Sequence, residues 1–171
     1  MQGEYDHKAV DGGFTVMEIL IVVVIISIAA MMAIPMITSA SSMQIRTAAN
    51  TIAADLEYAK SMAISRQKIY TVVFDTAAES YRIEDPNGII THPVKKGFQY
   101  IVNFSTDSRL SIVDIADVNF DATSAIKFDY LGSPLNGNGS PLNNGVITLQ
   151  AADVTSTITV EPVTGFILIT E

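Results

Sequence analysis

The order of patterns along this chain predicts an α+β fold. It has one long N-terminal helix, membrane-spanning in its first half and packed in its second half on an antiparallel, sandwich-like β-sheet domain. Three observations carry that reading. An apolar run extends from Phe14 to Ile37, an apolar stripe at helical spacing continues to about residue 66, and short β-branched and aromatic runs fill the remainder. The 171 residues are 49% hydrophobic and 16% charged, so the chain can bury a real core and is not intrinsically disordered. Ten Lys and Arg against 18 Asp and Glu give a net charge of -8, which argues against nucleic-acid binding by bulk charge. With no cysteine there is no disulfide framework, thiolate metal site or thiol nucleophile.

The first element is FTVMEILIVVVIISIAAMMAIPMI, interrupted only by Thr15, Glu18, Ser27 and Pro35. About 20 such residues in a helix cross a hydrocarbon core of roughly 30 Å. A cleaved secretory signal would need an apolar run of only about 7–15 residues behind a basic stretch. Here the preceding stretch is acidic, with Glu4, Asp6 and Asp11 against Lys8. A signal cut after Thr38-Ser39-Ala40 would release a soluble product starting at Ser41. Glu18 is the anomaly of the run, because a carboxylate within a membrane helix is costly unless it snorkels or meets a cation. Pro35 is the other anomaly and is expected to kink the helix.

Gly12-Gly13-Phe14-Thr15-Val16-Met17-Glu18, followed by ILIVVVIISI, resembles the class III leader of type IV prepilins and pseudopilins. The resemblance implies cleavage between Gly13 and Phe14 by a prepilin peptidase that also methylates the new Phe14 terminus. It also implies an assembly role for Glu18, the fifth residue after the cut, whose carboxylate would pair with the terminal ammonium of a neighbouring subunit. Such a pair offsets the desolvation of both charges and fixes the axial offset between adjacent helices. Related subunits often carry a proline at the place of Pro35, where the helix can loosen during filament assembly. The acidic leader departs from the family's usual basic one and weakens the positive-inside argument.

Beyond Ile37, Ile45, Ala48, Ala49, Ile52, Leu56, Ala59 and Ala63 recur at three- and four-residue steps, the stripe of a helix lying on a core. One helix is therefore expected from about Thr15 to Arg66. The expected strands are IYTVVFD from Ile69, SYRIE from Ser80, FQYIVNF from Phe98, AIKFDYL from Ala125, GVITLQ from Gly145, STITVE from Ser156 and GFILIT from Gly165. They are short and carry no helical crossovers, so the sheets should be antiparallel. The last two should close as a hairpin through Pro162-Val163-Thr164-Gly165. Gly132-Ser133-Pro134-Leu135-Asn136-Gly137-Asn138 is repeated as Gly139-Ser140-Pro141-Leu142-Asn143-Asn144-Gly145, and this tandem seven-residue duplication is expected to be a solvated surface loop.

AANTIAADLEYAKSMAISRQK, FDYLGSP and TVEPVTGFILI resemble the H-type minor pseudopilins and related minor pilins, the GspH/FimT family. The organisation expected is a leader at 1–13, a membrane and assembly helix at 14–37, its amphipathic continuation at 38–66 and a periplasmic β-rich domain at 67–171. The family implies a single-pass inner-membrane protein with its C-terminal domain in the periplasm, and a structural subunit rather than an enzyme. Its partners would be other pseudopilins or pilins, the prepilin peptidase and methyltransferase, the inner-membrane assembly platform and membrane lipid. The favoured role is a minor pseudopilin near the tip of a type II secretion pseudopilus. The alternative is a minor pilin priming a type IV pilus. DNA uptake is disfavoured, because Lys127 is the last basic residue of the chain.

Little else carries chemistry. No G-x-S-x-G, H-E-x-x-H or phosphate-binding glycine loop occurs, and no cofactor or metal is expected. His7 lies in the leader, which leaves His92 as a solvated loop histidine. Asp114, Asp117 and Asp121 could offer oxygen ligands to calcium but lack the rhythm of a calcium loop, so a solvated acidic edge is expected.

Overall fold

The computed structural model describes residues 15–170, leaving aside the side chains of residues 32–39. Two compact units divide the chain, Met1–Ile37 and Thr38–Glu171. A single helix, α1, runs Val16–Arg66. In the first unit every described side chain from Val16 to Met31 is exposed, and most are large and apolar. Among the described residues no helix is long and apolar enough to cross a membrane. Pro35 falls within α1, and its side chain is outside the described ones, as are Gly13 and Phe14 entirely.

The second unit folds on the stripe read from the sequence. Ile45, Ala48, Ala49, Ile52, Leu56, Ala59 and Ala63 are all buried. Four of the seven are alanines, which let the helix approach closely what it packs on. Among the described residues ten strands follow, all antiparallel. They are β1 Tyr70–Asp75, β2 Ser80–Asp85, β3 Gly88–Ile89, β4 Ile101–Asn103, β5 Asp114–Phe120, β6 Ala125–Phe128, β7 Pro134–Asn136, β8 Gly145–Ala151, β9 Val154–Val160 and β10 Ile167–Thr170. The first sheet is ordered β3-β2-β1-β6-β7 with β4 also on β2; the second is β10-β9-β8-β5. Alternation decides which side chains enter the core: β1 buries Tyr70, Val72 and Phe74, and β8 buries Ile147 and Leu149. These residues, the second sheet's Ile115, Ile158 and Val160, and the helix stripe form one hydrophobic cluster.

Four expectations need correction. The strand expected from Phe98 to Phe104 is reduced to β4, because Phe104 turns inward at the head of a 3-10 turn, Phe104–Thr106, capped by Asn103. The strand from Ala125 stops at Phe128, where the Asp129 carboxylate accepts from the Leu131 and Ser133 amides and turns the chain. The acidic stretch contains a strand that was not expected, β5, held by β8 with a bulge between Ile115 and Asp117. Asp114 and Asp117 do lie exposed on a sheet edge, and Asp121 alone departs from that reading by bonding the Asn143 and Asn144 amides. The duplicated stretch is not a solvated loop: it contains β7 and buries Pro134, Asn136 and Leu142.

The duplication makes the same turn twice. At Asp129 and again at Asn136, seven residues on, the side-chain Oδ1 accepts from the amides two and four residues later. In both copies the amide of the first residue donates to the carbonyl four on, and its carbonyl accepts from the glycine three on. That glycine has a left-handed φ both times, 83° at Gly132 and 87° at Gly139, which is why glycine occupies the position. The second turn folds back along β7, with an isolated bridge between Leu135 and Pro141.

Candidate functional site

Three places in the chain combine polar groups with a special environment. The first is the start of α1. Thr15 precedes the helix, and its Oγ1 accepts from the Glu18 amide at 3.2 Å. Thr15-Val16-Met17-Glu18 thus has the sequence of a capping box, with Glu18 in the first turn where the helix dipole favours an anion. The T-x-x-E spacing was legible in the sequence, and the cap it forms is made by the Thr15 hydroxyl on the Glu18 amide. Glu18 is exposed, one turn from Val22 on the same face. The structure brings no cation to it among the described residues.

The second is a polar cluster inside the globular unit that the sequence reading did not single out. Asp55, from the helix, accepts the Tyr81 hydroxyl at 2.6 Å and the Tyr100 hydroxyl at 2.7 Å, one on each carboxylate oxygen. Burial pushes Asp55 above the usual carboxylate value, although both hydrogen bonds pull the other way. Burial and the facing carboxylate push both tyrosines up. Tyr58 and His92 stack on the Tyr100 ring at 5.6 and 4.5 Å. His92 is therefore not a solvated loop histidine: its ring packs on Tyr100, and its Nδ1 accepts from the Val94 and Lys95 amides. A groove of about 600 Å³ opens beside this cluster, lined by Thr51, Asp55, His92, Lys95 and Arg109 among others. Arg109 is committed to Asp107 at 2.6 Å, which holds that carboxyl down to about 2. The cluster ties the helix to the first sheet and offers no nucleophile beside a base. A helical Asp between Ile52 and Leu56, in a chain with Tyr81 on a core-facing strand position and Tyr100 just before β4, is the trace it leaves in the sequence.

The third is the acidic trio. Asp114 and Asp117 are exposed on β5. Asp121 accepts instead from the amides of Asn143 and Asn144, at 2.9 and 3.0 Å, and is held below its usual value by them. Its job is to pin the end of the duplicated stretch. Among the described residues no group of three or more His, Cys, Asp or Glu gathers to hold a metal.

Comparison with known proteins gives one strong match. The sequence model of a family described as type II transport protein GspH matches residues 48–164, which includes the buried stripe from Ala48 onward and all ten strands except the last. Among curated proteins none matches the chain. Solved structures are similar at low identity, two of them as follows. The minor pseudopilin EpsH from the type 2 secretion system of Vibrio cholerae is 9% identical, covering 73% of this chain and 94% of its own, with a TM-score of 0.48. The type IV minor pilin FimU of Pseudomonas aeruginosa is 13% identical, covering 74% of this chain and 87% of its own, also with a TM-score of 0.48.

Proposed function

This chain belongs to the GspH family of type II transport proteins, and from that membership we propose that it is a minor pseudopilin of a type II secretion system. At the coarser level the family makes it a structural subunit of the minor pseudopilin or minor pilin kind and not an enzyme. Such subunits assemble with other pseudopilins in a filament. The observation that carries the secretion reading is the family match itself, which spans the helix stripe and nearly the whole β-domain.

In the mechanism proposed, the work is done by positioned packing. The precursor is held in the inner membrane by its apolar run from Phe14 to Ile37, with the globular unit in the periplasm. A prepilin peptidase cuts after Gly13, and the new Phe14 terminus is methylated. The Phe14 ammonium of one subunit then meets the Glu18 carboxylate of another in a medium of low dielectric, where an unpaired charge is costly. That pairing sets the axial step of the filament, and the kink expected at Pro35 lets the helix adjust as it leaves the bilayer. The exposed apolar face at Val16–Met31 supports this reading, because a helix that is apolar all round needs lipid or other helices around it. The absence of Lys and Arg after Lys127 leaves DNA capture unsupported.

A clean deletion strain tests the assignment. Exoproteins trapped in the periplasm, with a normal number of surface pili, are the expected outcome. Normal secretion with few or no pili would move the protein to a type IV pilus and overturn it. Within that strain, Gly13→Ala is expected to leave uncleaved precursor in the membrane. Glu18→Val is expected to be processed normally yet enter filaments poorly, and equal incorporation would show that Glu18 only snorkels.

A further inference from the structure

The two sheets have four edges, and three are closed. In the second sheet, β5 carries a bulge between Ile115 and Asp117, exposes Asp114 and Asp117, and has its Ile115 amide occupied by the Glu79 carboxylate at 2.6 Å. In the first sheet, β7 is three residues long, begins with proline and is covered by the second copy of the duplicated turn. That cover includes bonds from the Leu142 amide to the Pro134 carbonyl and from the Asn136 amide to the Ser140 carbonyl. The opposite edge of that sheet is split between the short strands β3 and β4. Bulges, charges, proline and brevity are the usual means of keeping a sheet edge from pairing with another chain.

The fourth edge, β10, is also short, at four residues, but has no bulge, charge or proline. Ile167–Thr170 pairs only with β9, and the segment from Gly165 to Thr170 contains no charge, proline or bulge. The Glu161 amide donates to the Phe166 carbonyl, so Phe166 faces β9 in a hydrogen-bonded pair. Alternation along an antiparallel ladder then assigns the Leu168 and Thr170 backbone to β9 and turns the amides and carbonyls of Ile167 and Ile169 outward. Exposed apolar side chains flank the edge: Val163, Phe166 and Leu168 are 81%, 59% and 47% exposed.

We propose that the outward edge of β10 is a docking site for an extended strand of a different subunit that neighbours this one in the filament, added antiparallel or parallel to Ile167–Thr170. The proposal rests on the pseudopilin reading above. A row of outward amides and carbonyls finds its chemical complement in another extended backbone. The uncharged, apolar flank selects a strand whose alternate side chains are apolar and uncharged. An edge occupied only in passing would pair indiscriminately, so the occupant must be resident. A subunit packed alongside through its own apolar helix is resident and present at high effective concentration.

The test uses the full-length chain in cells that assemble the filament. A photo-crosslinking benzoylphenylalanine replaces Leu168 in one strain and Asp117, on the closed β5 edge, in another. The expected result is an adduct from position 168, identified by mass spectrometry as a different polypeptide with a class III leader, and none from position 117. Ile169→Pro removes an outward amide without touching the β9 ladder and is expected to abolish the adduct, whereas Ile169→Val retains it. Should Ile169→Pro fail to accumulate, Leu168→Lys with the crosslinker moved to Phe166 gives the same reading through an exposed position. An adduct to a second copy of this chain, to an exported protein or to lipid overturns the proposal. So does equal labelling from both edges, or no adduct from position 168 while secretion and leader cleavage remain normal. Loss of pili with intact secretion in the deletion strain would instead fault the underlying assignment.

Discussion

The two halves of α1 share one backbone geometry and differ in how they distribute apolar side chains. From Val16 to Met31 they point all round and all are exposed; from Ile45 to Ala63 they form one stripe, and that stripe is buried while Arg46 and Asn50 between its members are exposed. The difference teaches what each half needs from its surroundings. A stripe is satisfied by one sheet-lined core, whereas an apolar cylinder is satisfied only by an apolar medium or by other helices. The largest effect that should separate them is at Leu56, which is fully buried. Leu56→Ala is expected to cost about 2–5 kcal/mol, and Val22→Ala to leave the unfolding of the globular unit unchanged. Urea titration of the detergent-solubilised full chain, followed by tyrosine near-ultraviolet circular dichroism, measures both. Equal losses would mean that the first half also belongs to the folded core.

The stripe was legible because burial against one surface imposes a period, and a period is visible in one dimension. The strands with matching periods, such as β1, β2 and β8, were legible for the same reason. What stayed hidden depends on partners distant in sequence. Asp114-Ile115-Ala116-Asp117 has no clean alternation because of the bulge, and it becomes a strand only through β8. The Asp55 cluster needs three residues that the sequence separates by 26 and 45 positions. The duplicated stretch was visible as a repeat, but its cover of the β7 edge follows from hydrogen bonds that composition does not encode. At the start of α1 the reverse holds: Gly13 and Phe14 are read from the motif and lie outside the described residues, while the Thr15 hydroxyl caps the helix through the Glu18 amide.

The two copies of the duplicated turn sharpen the comparison at smaller scale. Gly132 and Gly139 share a left-handed φ, yet a Cβ at Gly132 would stand 2.8 Å from the Ile64 Cδ1 of the helix, and one at Gly139 would meet nothing within 4 Å. Gly139→Ala should therefore cost backbone strain alone, about 1 kcal/mol. Gly132→Ala adds the displacement of Ile64 and is expected to cost about 1–3 kcal/mol more, in the range of overpacked sites. Thermal unfolding of the two variants checks the order, and equal losses would show that Ile64 yields freely.

The smallest expected effect concerns the helix's one half-buried carboxylate in the core region. Asp55 has its folded value raised above the ordinary 3.8 by burial. Between 3.8 and that raised value the folded state keeps a proton that the unfolded chain has lost. Its contribution is thus fully present below 3.8 and is lost as pH rises through the folded value. Asp107 works in the opposite sense: held down to about 2 by Arg109, it contributes above 3.8 and loses that contribution as pH falls towards 2. It lies on the surface, where screening weakens it. Tyr81 and Tyr100, both raised, keep their protons when the unfolded chain would shed them, so stability should also fall as pH rises beyond 10, the ordinary tyrosine value. Asp55→Asn retains an acceptor for a tyrosine hydroxyl and removes the ionisation. Its urea midpoint should decline less than that of the parent between pH 4 and neutrality. The same decline in both would show that Asp55 stays ionised in the fold, held by its two tyrosine hydrogen bonds against burial.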